Sequence, residues 1–498
     1  MHAEVSDGEP VEVGIAQGIF RGRAAGGVSW FKGIPYAAAP VGPNRFAAPA
    51  PPPRHDGVAD AADYGPTVST PPQRSPVMDA LLPDPVRPGV NGLNLNVWTP
   101  DVTGRLPVLV WLHGGGFATG AGSTTAFDGT AFAHHGVVTV TLNYRLAVEG
   151  FLRLPGAPSN RGLLDQIAAL EWIRDNIEHF GGDPARVTVA GESAGAMSVL
   201  TLLAMPRTKG LIRRAISQSG DGHHVHPVEL ADAVAAELCA ELGIDRTVAA
   251  IAAVPLPLLH AATNVVLNRF TGGADPRYPQ LRRLILQPVI DGDTLLEHPV
   301  AAARRGISAG VELLIGTNSD EYALFVATTG MADMGEDTLL DSTARLGVDA
   351  PAMVAAYRAQ LPDADPAELF VAIQSDWFCR VPTIRFVEAR ALAAADSHVY
   401  EFAWRPPTYG GRLGACHTLE IPFVFDTLAD PWGRALRGDA APQSLANEVH
   451  TAWASFVRSG DPGWPPYGSQ RILRRFDLQS ATITDPDVTR REAWAGIL

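Results

Sequence analysis

Apolar and polar positions follow three rhythms along this chain, and each change of rhythm marks a change of element. From Val11 to Pro35 they alternate (Val11, Val13, Ile15, Ile19, Trp30, Ile34) with glycine breaks, the period-two signal of short antiparallel strands, so a small N-terminal ribbon is expected. Residues 37–92, rich in Pro, Ala, Asp and Gly, hold no sustained period and read as long irregular coverage rather than a linker. Leu106–Leu112 and Val137–Leu142 are continuous apolar, β-branched runs of the kind buried on both faces of a sheet. Leu164, Ile167, Ala168, Leu170, Ile173 and Ile177 then fall at helical spacing, and Val187–Ala190 is strand again. Strand, helix, strand is the signature of a doubly wound α/β protein. Further strands are expected at Ala215–Ser217, Val311–Ile315 and Val399–Phe402, and helices over 228–241, 297–305, 319–327 and 383–395. With no internal repeat, the simplest organisation is one domain, 1–498, with lid-like insertions at about 220–285 and 330–380 covering a cleft.

Composition narrows the classes of partner. The 498 residues carry 53 acidic and 39 basic side chains, a net charge of −14, and no basic run, which argues against nucleic acid and against anionic membrane surfaces. Apolar residues at 46% and charged residues at 18% supply a large core and give no case for disorder. Cys239, Cys379 and Cys416 are odd in number and widely spaced, with neither a disulfide framework nor a zinc-type Cys/His spacing. Met1–Asp7 places acid where a secretory leader needs base, and no run approaches the ~18 apolar residues of a membrane span. These features predict a protein of the reducing cytoplasm with no membrane partner. They leave its oligomeric state open.

Two turns carry candidate chemistry. Gly191-Glu192-Ser193-Ala194-Gly195 lies directly between the strand Val187–Ala190 and the helical run from Ala196. So tight a strand-to-helix turn strains the central residue, requires bare neighbours at ±2, and lifts the Ser193 hydroxyl toward the N-terminus of the following helix. His113-Gly114-Gly115-Gly116-Phe117 follows the strand Val108–Leu112, and its glycines leave backbone N–H groups free to face an acceptor, as an oxyanion hole requires. The N–H groups of Gly115, Gly116 and Ala194 are the candidate donors. Paired, the two turns point to a nucleophilic serine acting on a carbonyl.

With these turns the chain resembles the type-B carboxylesterases, the branch of the α/β-hydrolases that includes the cholinesterases, and within it the bacterial para-nitrobenzyl-esterase-like members. The likeness extends through Phe31-Lys32-Gly33-Ile34-Pro35-Tyr36-Ala37, Leu95-Asn96-Val97-Trp98-Thr99-Pro100 and Asn143-Tyr144-Arg145-Leu146. It continues through 160–166, Phe180-Gly181-Gly182-Asp183-Pro184, Ser217-Gln218-Ser219-Gly220, Ser459-Gly460-Asp461-Pro462 and Trp464-Pro465-Pro466-Tyr467. The resemblance implies an α/β-hydrolase fold, a large mostly parallel sheet with helices on both faces. It also implies Glu321 as acid, within Thr317-Asn318-Ser319-Asp320-Glu321, and His417 as base, within 414–423. The order Ser193, Glu321, His417 is the one that α/β-hydrolases use. The reaction implied is hydrolysis of a small-molecule carboxylic ester through an acyl-enzyme, with no metal or organic cofactor. The same machinery acting on a carbamate, amide or polymer ester is an alternative, and a non-catalytic binding protein on the same scaffold is another.

Rival residues and departures sharpen the expectation. From the residues alone Asp320 could orient an imidazole as well as Glu321; only the resemblance selects Glu321. His223, His224 and His226 look metal-like, but no carboxylate or Cys stands at ligand spacing, so a solvated or pocket-lining loop is expected. Cys416 beside His417 reads as packing, because adjacent loop residues point apart, and Asp165, Asp183, Asp291 and Glu192 read as structural acids. Val90-Asn91-Gly92 stands where the family reads Glu-Asp-Cys, so the family's N-terminal disulfide cannot form and Arg45 is expected to lack its partner. No aromatic residue occurs at 72–92, which disfavours a choline ester, since a cation–π face is missing there.

Overall fold

The alternating N-terminal segment forms the expected antiparallel ribbon, β1 (Glu9–Ile15), β2 (Gly18–Ala25) and β3 (Val28–Pro35). Val13 faces Phe20 across it, and both are buried. The structure is a computed structural model that describes residues 8–70, 76–273, 284–329, 331–486 and 488–497. The expectation for Met1–Asp7 lies outside the described residues, as do parts of those for 72–92, 220–285 and 330–380. Residues 37–92 are irregular where described, apart from a 3-10 turn at Gly42–Asn44, β4 (Val58–Asp60), which pairs in parallel with β2, and a short helix, Pro76–Leu81.

The chain packs as two compact units, one of residues 1–74, 84–216 and 223–299, the other of 75–83, 217–222 and 300–498. The first unit continues with β5 (Asn94–Thr99), β6 (Leu106–Leu112), β7 (Val138–Leu142), β8 (Gly182–Glu192) and β9 (Arg214–Gln218), the unit boundary falling inside β9. Its strand order is β1-β2-β3-β5-β7-β6-β8-β9, with β6 parallel to both β7 and β8 and β5 antiparallel to β3 and β7. A parallel neighbour needs a crossover, and the helix Arg161–Asn176 supplies the one before β8. Every residue of β7, and all of β6 except Leu106, is buried, as the unbroken apolar runs require. Helices Val228–Leu242 and Leu256–Gly273 and the short parallel pair β10 (His226–Pro227) and β11 (Val289–Ile290) also belong to this unit.

In the second unit β12 (Glu312–Asn318), β13 (Ser397–Phe402) and β14 (Ile472–Phe476) run parallel, and β15 (Ala481–Thr484) returns antiparallel to β14. The helix expected at 383–395 spans Val381–Ala391, the one at 297–305 spans Pro299–Arg304, and the one at 319–327 starts only at Ala323. An α-helical segment at Pro366–Ser375 passes into a single π-helical stretch, Asp376–Arg380.

One expectation is corrected. Arg45 does have a carboxylate partner: its Nε donates to Glu149 Oε1 at 2.6 Å, and its Nη1 donates to the carbonyls of Ala252 and Val254 at 2.9 and 3.1 Å. A guanidinium buried this far must be paired, and here an acid from a helix about a hundred residues downstream fills the role. The four acids read as structural fare differently in detail. Asp165 holds fully buried Arg145 at 2.7 and 2.8 Å, and Asp183 and Asp291 accept backbone N–H groups of their own turns. Glu192 stands beside the glycine turn.

Candidate active site

The turn around Ser193 is built as the sequence demands. β8 ends at Glu192, the helix Ala194–Leu202 begins at once, and Ser193 between them is held at φ 54°, ψ −124°. A side chain on Gly191 would place its Cβ 2.5 Å from the carbonyl carbon of Gly195, and one on Gly195 would place it 2.0 Å from the oxygen of Leu112. Glycine is obligatory at both positions because backbone passes backbone there. The strain at Ser193 is of the kind stored at functional sites, and it raises the hydroxyl at the N-terminus of a nine-residue helix.

The glycine turn lies against this elbow, since a Cβ on Gly114 would meet Glu192 Oε2 at 2.6 Å and Ser193 Cβ at 3.1 Å. Gly115 and Gly116 take φ of +111° and +62°, and the carbonyl of Gly115 accepts from the N–H groups of Ala118 and Thr119, both at 3.0 Å. Among the described residues no protein acceptor takes the N–H of Gly115 or Gly116. Ala194 is the first residue of its helix, a position whose N–H has no partner inside the helix. Ser193, Ala194, Gly115 and Gly116 therefore belong to the first unit.

Glu321 and His417 belong to the second unit, which brings them together directly. Nδ1–H of His417 donates to Glu321 Oε2 at 2.6 Å, and both side chains are buried. The other oxygen of Glu321 accepts the backbone N–H of Asn318, the last residue of β12, at 2.8 Å. Asp320 does not compete for the imidazole. Its Oδ2 accepts the N–H of Ala415 at 2.8 Å and the hydroxyl of Ser319 at 2.9 Å, while its Oδ1 pairs with Arg405. Asp320 thus latches the loop that delivers His417. The aromatic rings of Phe325 and Phe378 flank the imidazole, with centroids 5.5 and 6.2 Å away.

Sequence reasoning missed a buried polar network behind this pair. Glu420 accepts from Gln218 Nε2 at 3.0 Å and from Asn318 Nδ2 at 2.7 Å, and Trp453 Nε1 fixes the Gln218 amide by donating to its oxygen at 2.8 Å. Asn318 Nδ2 also donates to the carbonyl of Cys416 at 2.7 Å, tying the network to the residue before His417. Burial, and then the charge of Glu321, push the Glu420 carboxyl above the usual carboxylate range. The position of Glu420 three residues after His417 is the one signal that could have drawn attention to it. Burial raises the Cys416 thiol far above its ordinary value, consistent with packing. Cys379, from the π-helical stretch, places its sulfur with donor atoms of Glu321 and His417 inside a 4.8 Å group, the one cluster of metal-type donors among the described residues. His223, His224 and His226 join no such cluster there: His223 meets the ring of His298 at 5.4 Å and His226 meets Gln287.

Buried histidines of the first unit, His113 and His226 among them, make stability depend on pH. Burial lowers both His113 and His226 to about 4. In the unfolded chain each titrates near 6.5, so between these values the unfolded state binds protons that the folded state refuses. Their stabilising contribution is complete above about pH 6.5 and is lost as pH falls toward 4, at up to about 1.4 kcal/mol per pH unit for each residue. The thermal midpoint is expected to fall steadily from pH 7 to 4.5, less steeply in His113→Asn. A midpoint flat across that range contradicts the reading.

The comparisons with known proteins agree with one another. A sequence model described as the Carboxylesterase family matches residues 9–477. The chain is 37% identical over 504 residues to a para-nitrobenzyl esterase of Bacillus subtilis (strain 168), with 95% of this chain and 96% of the relative covered. It is 35% identical over 459 residues to a phenmedipham hydrolase of Pseudarthrobacter oxydans, covering 89% and 90%. A crystal structure of a carboxylesterase from Geobacillus stearothermophilus superposes with a TM-score of 0.85 at 37% identity, covering 97% of this chain and 99% of that one.

Proposed function

Since the chain belongs to the carboxylesterase family, has its α/β-hydrolase fold and hydrolyses carboxylic esters as a serine hydrolase, we propose that Ser193 is its nucleophile, His417 its general base and acid, and Glu321 the acid that orients His417. The observation that carries this assignment is the strained Ser193 at a strand-to-helix elbow, together with the 2.6 Å bond from His417 to a buried Glu321. A histidine that donates through Nδ1 to a carboxylate keeps Nε2 as an acceptor, the state that a general base needs.

In the proposed cycle His417 Nε2 takes the proton of the Ser193 hydroxyl as its oxygen bonds to the ester carbonyl carbon. The N–H groups of Gly115, Gly116 and Ala194 hold the resulting oxyanion. His417 returns the proton to the leaving alcohol as the C–O bond breaks, and water repeats the sequence on the acyl-enzyme. Segments about 220–285 and 330–380 are proposed to cover the cleft, within one functional domain, and to set acyl and alcohol preference. The substrates are small-molecule esters. A cytoplasmic location is part of the proposal, supported by three buried cysteines, none of them in a disulfide.

Reaction with an aryl phosphonate ester tests the assignment. One phosphonyl group per chain is expected, mapped by peptide mass to Ser193, with hydrolytic activity lost in step. An adduct on another residue, or full activity in the labelled protein, overturns it.

A further inference from the structure

The glycines that bare the N–H groups of the proposed oxyanion hole also leave the turn easy to deform. With Gly114 and Gly115 side by side, the peptide plane joining them can rotate without moving any side chain, and such a rotation would turn the Gly115 N–H away. A catalyst that relies on preorganised donors needs something to stop that rotation.

His113 is placed to stop it. Its Nδ1 lies 2.8 Å from the carbonyl oxygen of Gly114, which belongs to the same peptide unit as the N–H of Gly115. The imidazole is buried, at 1% exposure, and stacks on Tyr144 with ring centroids 4.5 Å apart and planes 20° from parallel. The Tyr144 hydroxyl in turn donates to the carbonyl of His113 at 2.8 Å, so ring and backbone are both fixed. Gly120 is bare because a Cβ there would lie 2.4 Å from His113 Nδ1, the turn having been shaped around the ring. A carbonyl can only accept, so the proton is on Nδ1, and burial keeps the imidazole neutral with Nε2 bare. No peptide bond among the described residues is cis, so a Gly114 carbonyl pinned toward His113 points the Gly115 N–H the opposite way. Hydrogen bonding at the carbonyl also polarises the amide and strengthens its N–H as a donor.

We propose that His113 is a positioning residue of the oxyanion hole: its Nδ1–H, by holding the carbonyl of Gly114, locks the Gly114–Gly115 peptide so that the N–H of Gly115 stays turned toward the acyl oxygen. The inference rests on the reading of this turn as the oxyanion hole. His113 touches neither substrate nor nucleophile, and acts through the orientation of one peptide.

Kinetics of His113→Leu and His113→Asn in the full chain test it. His113→Leu is expected to lower kcat about 10- to 100-fold, less than the ~10²–10³-fold loss when an oxyanion donor is deleted outright. The Ki of a trifluoromethyl ketone, which becomes a tetrahedral oxyanion on the enzyme, should rise in proportion. KM, and the Kd of an unreactive ether analogue, should stay within about twofold, because they report ground-state binding. His113→Asn, whose amide nitrogen can occupy the place of Nδ1, should recover most of the loss. A folded His113→Leu with kcat within about threefold of wild type, or one that weakens the ether analogue as much as the ketone, overturns the proposal. If His113→Leu does not fold, neutron diffraction from the unaltered protein decides instead: deuterium on Nδ1 is expected, and deuterium on Nε2 alone overturns the proposal. Ser193→Ala run beside these variants separates the two readings. If it retains hydrolysis the nucleophile assignment fails, whereas an inactive Ser193→Ala with an unaffected His113→Leu removes only the latch.

Discussion

Ser193→Ala is expected to lower kcat for a simple ester by about 10⁴- to 10⁶-fold while leaving the fold intact. The size follows from chemistry: without the hydroxyl no acyl-enzyme can form, and only substrate positioning and the N–H donors are left to act on direct attack by water. The intact fold follows from geometry. Ser193 precedes the helix Ala194–Leu202, but its side chain does not cap that helix, so truncation strands no backbone donor. Alanine at φ 54° carries the same backbone strain as serine, so the thermal midpoint should move by no more than a few degrees, as for substitutions that remove no buried contact. Steady-state rates on protein free of wild-type enzyme, with a parallel thermal melt, provide the check. A folded variant that keeps more than about a tenth of wild-type activity would falsify the nucleophile assignment.

Why the elbow was legible in the sequence and the network behind the acid was not is a matter of distance along the chain. Gly191, Ser193 and Gly195 act within five residues, and each is required by a local clash, so their pattern survives in one dimension. The strand before them, Gly182–Glu192, is longer than the apolar run Val187–Ala190 that predicts it. Gly182-Asp183-Pro184 breaks the apolar pattern, yet Gly182 still pairs with Leu106 of β6. The helix expected from residue 319 begins at Ala323 because residues 318–322 form the turn that presents Glu321, and site geometry prevails over helical periodicity there. The hydrogen-bond partners Glu149 on Arg45, the Ala415 N–H on Asp320 and Gln218 on Glu420 lie 104, 95 and 202 residues away in the chain. Such bonds impose no period and no local composition. The choice between Asp320 and Glu321 shows the limit well: the two are chemically equivalent neighbours, and only the fold gives one of them the Ala415 N–H and the other the His417 ring.

That choice yields the second large effect. Glu321→Gln is expected to lower kcat by about 10⁴-fold with little change in KM, and Asp320→Asn by less than about tenfold. The carboxylate of Glu321 faces two donors, the N–H of Asn318 on one oxygen and Nδ1–H of His417 on the other, at 2.8 and 2.6 Å. A glutamine has one acceptor oxygen and one NH₂ group, so it can satisfy only one of them. If its oxygen stays on Asn318, whose backbone N–H is fixed at the end of β12, its NH₂ points at Nδ1 and drives the imidazole to the tautomer protonated on Nε2. That tautomer has no lone pair with which to accept a proton from serine, and the carboxylate charge that would stabilise an imidazolium is gone as well. Asparagine at 320, by contrast, can still accept the N–H of Ala415 through its Oδ1. What it gives up is mainly an ion pair with Arg405, whose side chain is 66% exposed, and such pairs contribute about 0–1 kcal/mol. The ranking of the two variants is therefore the decisive reading. Were Asp320→Asn to prove the more damaging of the pair, with both proteins folded, the imidazole would have to take its orientation from the neighbouring acid, and the assignment of Glu321 would be lost.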